Sequence, residues 1–387
     1  MDNILIYWLW LLRTLNGNSR KVRALISHFG SIGRVTEATE EDLLSVDFLQ
    51  PSEKDALISK NELDNAEATF RFCMSKGIEI IPFTDGRYPA ELTEIDNPPA
   101  VLFAYGNISE AFSKPKISIV GTRDSTPYGE ITSAKISGAL AKSGFTIVAG
   151  VADGIDSSVI EAALKVDGSV IAILPGGHTR TQFSSKYKFK NIPLHGVILS
   201  ENLPDTPTYK SSYYERNRLL SGMSLGVIVT QAPVKSGALI TANCALNQGK
   251  DVFALLANVD MPQSQGSNNL LREGAIPVID HTDVVNYYIS SLGTQINANV
   301  KFDPREVCEA LQPDPVERID DFHRVVAKTF TDEQQIVFKH IGLVETDINF
   351  IIEETQLPVA TVMSTLSELE AAGVITACPG NKYIIKF

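Results

Sequence analysis

The feature that most constrains the fold is a series of short apolar runs between residues 116 and 279, separated by stretches suited to helices. Near-continuous apolar runs of this length are typical of parallel strands that are buried on both faces. Helices are predicted between them at 130–143, 158–166 and 241–248. The alternation predicts an α/β fold, a Rossmann-like doubly wound parallel sheet within residues 111–290. The predicted strands are Lys116–Val120, Phe145–Ala149, Val170–Leu174, Gly196–Leu199, Leu225–Thr230 and Asp251–Leu256, with Ala275–Ile279 as an edge strand.

Residues 1–110 are predicted to form a separate helical domain. The segment His28–Ser31, followed by Glu40–Leu44, resembles a helix–turn–helix or helix-hairpin-helix unit, so the domain is predicted to be SAM-like or helix-hairpin-helix-like. Such a unit can hold a DNA backbone on its glycine turn, or it can serve as a packing or dimer module. The sequence leaves both roles open.

The remaining residues are predicted to form a linker and a small terminal domain. Residues 291–329 are polar and contain several prolines and acids, which indicates a linker. Residues 330–387 contain three predicted helices, at 333–340, 347–355 and 358–372, followed by a short hairpin. This order of elements is that of a winged-helix domain.

Charge is unevenly distributed along the chain. The net charge of −12 over 387 residues argues at first against a nucleic-acid partner. Residues 115–250, however, carry 14 basic and 9 acidic side chains, whereas the rest of the chain is acidic. Because a polyanion responds to the local potential, this basic block is where we expect nucleic acid to bind, unless the segregation has arisen by chance.

Cysteine usage and hydropathy bear on the cellular compartment. The four cysteines are far apart and show no spacing for zinc or a disulfide framework. The apolar run Ile4–Leu12 is too short to span a bilayer. We therefore predict a cytoplasmic protein with no membrane association, no metal site and no cofactor.

Candidate ligand-binding residues follow the first two predicted strands. Gly121, Thr122 and Arg123 end the first strand, and Gly150 ends the second. Glycine allows a ligand to approach the backbone closely, and the hydroxyl and guanidinium groups suit phosphate. Because the carboxyl ends of parallel strands meet at one crevice, we expect these residues to lie close together. The alternative is a tight βα turn with a solvated arginine.

The segment from Lys210 to Arg218 combines cations with aromatic residues. Arg216, Asn217 and Arg218 are predicted to start a helix, preceded by Lys210 and Tyr213. Arginine binds phosphate through two parallel hydrogen bonds, and a tyrosine ring can stack on any base, which predicts binding of single-stranded nucleic acid. Because the two arginines are two positions apart on a helix, both are not expected to reach one ligand. The alternative for one of them is a buried structural ion pair.

Ser236 and Gly237 precede a predicted helix and offer a second cradle for an oxyanion. The turn at Gly121 lacks the Gly-x-Gly-x-x-Gly fingerprint, and no Walker A sequence occurs. Asp153 and Asp156 could act as paired carboxylates, but a helix cap and a surface loop explain them more simply. We predict no catalytic residue.

Together these motifs resemble the DNA-processing protein A family (DprA, also called Smf), bacterial recombination mediators that bind single-stranded DNA. The resemblance covers nearly all of residues 115–282, and the flanking helical and winged-helix-like regions match the family's layout. The motifs that carry it occur in the family's order along the chain: Val120–Arg123, Ala149–Asp156, Ser200–Glu201, Glu215–Arg218, Ser236–Ala242 and Gly266–Leu271.

The resemblance implies a DNA pocket at the carboxyl edge of the sheet. Arg123 and Lys210 would hold phosphates and Tyr213 would meet a base. The rest of the pocket would be lined by Arg216, Asn217, Ser236 and Gly237. The resemblance further implies a homodimer formed through the Rossmann-like domain and hand-over of single strands to a RecA-type recombinase during transformation or recombination.

The chain departs from the family pattern in ways that affect the pocket. Asp153 replaces a residue that is usually basic, which weakens the expected phosphate contact. The loop after His178 departs from the common pattern, and we hypothesise that its cations compensate: Arg180, Lys186, Lys188 and Lys190. The predicted helix Pro358–Ala372 has no Lys or Arg, so we predict that the winged helix does not grip duplex DNA and has a protein-interaction or regulatory role.

Two other functions are compatible with a Rossmann-like sheet. A nucleotide-processing enzyme of the phosphoribohydrolase (LOG-like) type would carry a catalytic Glu after its Pro-Gly-Gly turn, but Phe183 occupies that position. A regulator that senses a mononucleotide would bind one nucleotide only, whereas a groove for a strand needs several.

Overall fold

The computed structural model of the chain describes residues 2–181, 191–307, 330–341, 346–372 and 374–385. The chain divides into two compact units, residues 1–311 and 312–387. A finer division of the first unit at residue 110 stays a prediction.

The first unit begins with helices that pack around an apolar core. Helix α1 is apolar along most of its length, and Leu9 and Leu11 are completely buried in that core. None of the helices in the described part of the chain is long and apolar enough to cross a membrane. The six helices are α1 (Asp2–Thr14), α2 (Ser19–Phe29), α3 (Ile32–Glu37), α4 (Glu40–Leu44), α5 (Pro51–Ser59) and α6 (Leu63–Lys76).

A nine-stranded sheet follows, in the order β1-β2-β6-β5-β4-β3-β7-β8-β9. Strands β3 to β9 are parallel to one another, whereas β2 runs antiparallel to β6 and β1 runs antiparallel to β2. The strands are β1 (Glu79–Pro82), β2 (Val101–Gly106), β3 (Lys116–Val120), β4 (Thr146–Ala149), β5 (Val170–Ile173), β6 (Gly196–Ser200), β7 (Gly226–Val229), β8 (Asp251–Leu255) and β9 (Ile276–Val278).

Strands β1 and β2 correct the prediction that residues 1–110 are helical throughout. The sixth helix ends at Lys76, and the two strands that follow extend the sheet beyond β6. Proline is uncommon inside strands, and this stretch contains four prolines between residues 82 and 99. Pro82 is nevertheless compatible with a strand because β1 lies at the edge of the sheet, where proline does not interrupt a continuous ladder.

Helices cover both faces of the sheet, as the apolar strands predicted. Neighbouring residues of β4 show the arrangement, because Ile147 is buried in the core on one face and Val148 in the core on the other. The Rossmann-like fold class is thereby confirmed. The helices are α7 (Ala90–Thr93), α8 (Ile108–Ser113), α9 (Pro127–Lys142), α10 (Ile155–Lys165), α11 (Ile192–His195), α12 (Lys210–Gly222), α13 (Gly237–Asn247), α14 (Gln265–Arg272) and α15 (His281–Leu292).

The first part of the predicted linker packs against this sheet domain. The backbone N–H of Asn297 donates to the carbonyl of Ser143 over 2.9 Å. Val307 is buried beside Ala134 and Ala162, with Phe302 packed against the same cluster. The linker expectation is therefore wrong up to residue 307, and residues 308–329 lie outside the described part of the chain.

The second unit has the winged-helix order that the sequence predicted. Val362, Leu366 and Leu369 are buried along one side of the third helix. The three strands pair in the order β10-β12-β11. The elements are α16 (Asp332–Lys339), β10 (Thr346–Asp347), α17 (Ile348–Thr355), α18 (Val359–Ala371), β11 (Ile375–Cys378) and β12 (Lys382–Ile385).

Candidate nucleic-acid interface

A cleft of about 880 Å³ opens at the carboxyl ends of the parallel strands. The strand order reverses at β3, which has β4 on one side and β7 on the other, and such a reversal is where open α/β sheets form ligand-binding crevices. The cleft is lined by residues that follow β3, β4, β5 and β7, together with the first half of α12. The cleft thus crosses the ends of four adjacent strands.

The turn after β3 places Arg123 on this cleft. A Cβ on Gly121 would lie 2.4 Å from the side chain of Ile155, so only glycine lets α10 approach the turn this closely. The Thr122 backbone is held on both sides, because its N–H donates to the Gln231 carbonyl over 2.7 Å and its carbonyl accepts from the Ile155 N–H over 3.3 Å. The exposed Arg123 side chain follows this fixed segment directly.

Arg123 contacts the aromatic residue that the sequence singled out. Its guanidinium carbon lies 4.4 Å from the centre of the Tyr213 ring, a cation–π contact. Helix α12 begins at Lys210, six residues before the predicted start at Arg216. Lys210 and Tyr213 are therefore in its first turns, and both line the same cleft as Arg123.

Four exposed cations line the cleft: Arg123, Arg180, Lys210 and Lys235. None of the four forms an ion pair with a carboxylate among the described residues. Their charge is therefore available to an anion in the cleft. Lys235 was not predicted to bind the ligand. Its position between β7 and the start of α13, at the carboxyl end of a parallel strand, could have indicated it.

Arg216 forms part of the floor of the cleft. Only 5% of its surface is exposed, and its Nη1 donates to the Ile173 carbonyl over 2.9 Å. Its Nε is buried with no hydrogen-bond partner in the described structure. Burial lowers the pKa of Arg216, and the nearby charge of Asp156 counters this effect.

Asp156 faces Arg216 across Gly150. A Cβ on Gly150 would lie 2.2 Å from Nη1 of Arg216 and 2.2 Å from Oδ2 of Asp156, so glycine is required here. Asp156 is only 7% exposed, and burial raises its pKa despite the opposing charge of Arg216. The sequence suggested that Asp156 caps α10. The helix instead begins at Ile155, and the Asp156 carboxyl is turned inward as a buried partner of Arg216. Gly150 lies beneath the cleft, not among its lining residues.

Arg218 does not reach the cleft. Two positions along a helix correspond to a rotation of about 200°, so Arg218 points away from the side occupied by Arg216. It forms an ion pair with Glu201, and burial raises the pKa of that carboxyl while Arg218 counters the shift. The prediction that Arg218 binds the ligand is therefore wrong, and its guanidinium forms a partly buried structural ion pair instead.

The remaining predicted residues lie where α13 begins. Ser236 caps this helix, because its Oγ accepts from the Ala238 N–H over 3.2 Å. The buried side chain of Asn217 donates to the Gly237 carbonyl over 3.4 Å, which connects α12 to the same turn. All of these residues line the cleft, as do Gly121 and Thr122.

The loop after β5 is described only in part. Arg180 lines the cleft, whereas Lys186, Lys188, Lys190 and Phe183 lie outside the described residues. Their predicted roles stay predictions.

Comparison with known proteins identifies a family of similar sequences. The family model described as DNA recombination-mediator protein A matches residues 79–289, and the model described as the DprA winged helix domain matches residues 324–381. The chain is 38% identical over 215 residues to the DNA processing protein DprA of Bacillus subtilis, and the match covers 54% of this chain and 71% of that protein.

Two solved structures are also similar. DNA processing protein A from Streptococcus pneumoniae superimposes with a TM-score of 0.64 at 26% identity, over 73% of this chain and 97% of that one. DNA processing protein A from Helicobacter pylori, solved to describe its single-stranded DNA binding mode, superimposes with a TM-score of 0.50 at 29% identity. That match covers 56% of this chain and 98% of the other.

Proposed function

The chain belongs to the DNA recombination-mediator protein A family, and from this premise we propose that it binds single-stranded DNA in the cleft at the carboxyl ends of β3, β4, β5 and β7. The observation that carries the proposal is that one cleft is lined by the Tyr213 ring and by four cations that form no ion pair among the described residues. Cations suit the phosphates of a strand, and a tyrosine ring suits the flat face of any base. The cleft binds the strand and performs no chemistry on it.

The size of the cleft supports a strand as the ligand in preference to a single nucleotide. Arg180 follows β5 and Lys235 follows β7. These two strands are separated by three inter-strand spacings, because β4 and β3 lie between them. At about 4.8 Å between strands, the cleft is roughly 14 Å wide in this direction. A single nucleotide carries its phosphate at one position, whereas cations spread over this width can contact several phosphates of one strand.

We further propose that the strand is passed to a RecA-type recombinase and that the protein acts as a homodimer through its Rossmann-like domain. Both proposals come from the family and not from a surface of this chain. Light scattering would measure the mass in solution. The rate at which a RecA-type recombinase assembles on single strands, with and without this protein, would measure the hand-over.

The direct test is the binding of fluorescently labelled oligonucleotides of increasing length at several salt concentrations. We expect affinity to rise with length and to fall with salt, with a logarithmic slope of about −3 if four phosphates are neutralised. Equal affinity for AMP and for a long oligonucleotide would favour a mononucleotide sensor and would refute the proposal.

Substitutions locate the binding to the cleft. Arg123→Ala or Lys210→Ala should each weaken binding by about 1–3 kcal/mol, the range for a charge-assisted contact, and equally for all base compositions. Lys135→Ala is the matched control, because Lys135 is exposed on α9 and does not line the cleft. An equal loss in the Lys135 variant would indicate a general charge effect instead.

A further inference from the structure

Two tyrosines that the proposed function leaves unused lie on the same cleft. Tyr209 and Tyr214 both line it, with 62% and 47% of their surfaces exposed. Single exposed aromatic residues are common on protein surfaces, but here two such rings stand beside the cations of one cleft.

These two rings differ from Tyr213 in what they touch. One face of Tyr213 is covered by the guanidinium of Arg123, so at most one face is left for a base. Tyr209 and Tyr214 contact no other ring and no cation in the described residues. Their faces are therefore available to flat partners.

Tyr209 also stands at a different position along the cleft. It follows Thr208, whose Oγ1 would lie 2.4 Å from a Cβ on Gly176, in the turn after β5. Arg123, which covers one face of Tyr213, belongs instead to the turn after β3, two strands away from β5 in the sheet. Tyr209, Lys210 and Tyr213 thus place a ring, a cation and a second ring in succession along one wall.

We propose that Tyr209 and Tyr214 are stacking platforms for bases of the same strand other than the base that meets Tyr213. This inference rests on the proposed function and extends it to a site with several stacked nucleotides. The chemistry is base–aromatic stacking, which tolerates any sequence because every base has a flat face. Lys210, which follows Tyr209 in the chain and lines the same cleft, would neutralise a phosphate between the stacked bases.

The experiment uses the full chain and oligothymidylates that carry one 2-aminopurine, whose fluorescence falls when it stacks. Tyr209→Ala and Tyr214→Ala should each bind a long oligonucleotide about 10-fold more weakly, with less quenching of the probe. A dinucleotide should bind the Tyr209 variant as it binds the original protein, because it can occupy the Arg123–Tyr213 region alone. Tyr209→Phe and Tyr214→Phe keep the rings and should keep the affinity.

Controls separate the possible failures. Tyr105→Ala removes an exposed ring from β2, away from the cleft, and should change neither the affinity nor the quenching.

If the alanine variants at 209 and 214 keep full affinity and full quenching while Arg123→Ala loses binding, the stacking inference is wrong and the proposed function stands. If Phe loses as much as Ala at position 209 or 214, the hydroxyl acts and the inference is also wrong. If the original protein does not prefer oligonucleotides to AMP, the proposed function itself fails.

Discussion

Replacing Arg216 with methionine tests the role of the buried charges beneath the cleft. Methionine keeps much of the apolar volume of the side chain but removes the guanidinium. Two contributions to stability are lost with it: the hydrogen bond to the Ile173 carbonyl, and the positive charge that faces Asp156.

The magnitude of the loss follows from the chemistry of these two groups. The hydrogen bond contributes about 1 kcal/mol. The buried carboxylate can avoid being left unpaired by taking up a proton, which costs about 1.4 kcal/mol for each pH unit above its ordinary pKa of 3.8. The electrostatic part is therefore limited to about 4 kcal/mol at pH 7 and about 2 kcal/mol at pH 5.

The sign of the pH dependence is fixed by the direction of the pKa shift. Because the pKa of Asp156 in the folded protein lies above 3.8, the folded state favours the protonated carboxyl. The stability that Asp156 contributes is therefore greatest below pH 3.8 and falls as the pH rises through its pKa in the folded protein. Removing Arg216 raises this pKa further, so the penalty of the substitution grows with pH.

Urea denaturation monitored by circular dichroism at pH 5 and pH 7 measures the effect. We expect Arg216→Met to lower the free energy of unfolding by about 3–5 kcal/mol at pH 7 and by about 2–3 kcal/mol at pH 5. The double variant with Asp156→Asn is the matched control and should recover most of the difference between the two pH values. A loss of the same size at both pH values, unaffected by Asp156→Asn, would refute the reasoning.

Three further predictions concern neighbouring positions. Gly150→Ala should lower the free energy of unfolding by about 1–3 kcal/mol, because the new methyl group would overlap the two buried charges that face each other there; thermal denaturation measures it. Arg218→Met leaves Glu201 buried without its partner and should lower the free energy of unfolding by about 3–5 kcal/mol at pH 7. The loss should be smaller at pH 5, because burial raises the pKa of Glu201. The affinity of the folded variant for oligonucleotides should not change. Lys235→Ala should weaken oligonucleotide binding for every sequence and reduce the salt slope by about 0.7; an unchanged slope would contradict a phosphate contact.

The sequence predicted the parallel sheet well because its strands are buried on both faces. Such strands are almost uninterrupted apolar runs, and the bounds of β3 were predicted to the residue. Strands β1 and β2 were not predicted. They pair antiparallel at the edge of the sheet and lie next to prolines, which usually interrupt regular secondary structure.

The site was harder to predict residue by residue. Arg216 and Arg218 are chemically identical and two positions apart, and only packing decides which of them faces the cleft and which pairs with Glu201. The start of α12 at Lys210 was missed because no side chain that commonly caps a helix precedes it: Tyr209 occupies that position. Asp156 was predicted to be a helix cap, because the spacing of residues in a sequence does not show that a carboxyl group is buried.

The antiparallel pair β1–β2 has a consequence for the choice of fragments for biochemical work. Backbone groups of β6 from Val197 to Ser200 pair with Phe103–Gly106 of β2. A fragment that begins at residue 111 would lack β2. The amides and carbonyls of β6 would then be unpaired at the edge of the sheet, where strands of other chains can pair with them. A soluble truncation should therefore begin before Glu79, and aggregation of the shorter piece would reflect the cut and not an intrinsic instability of its parallel core.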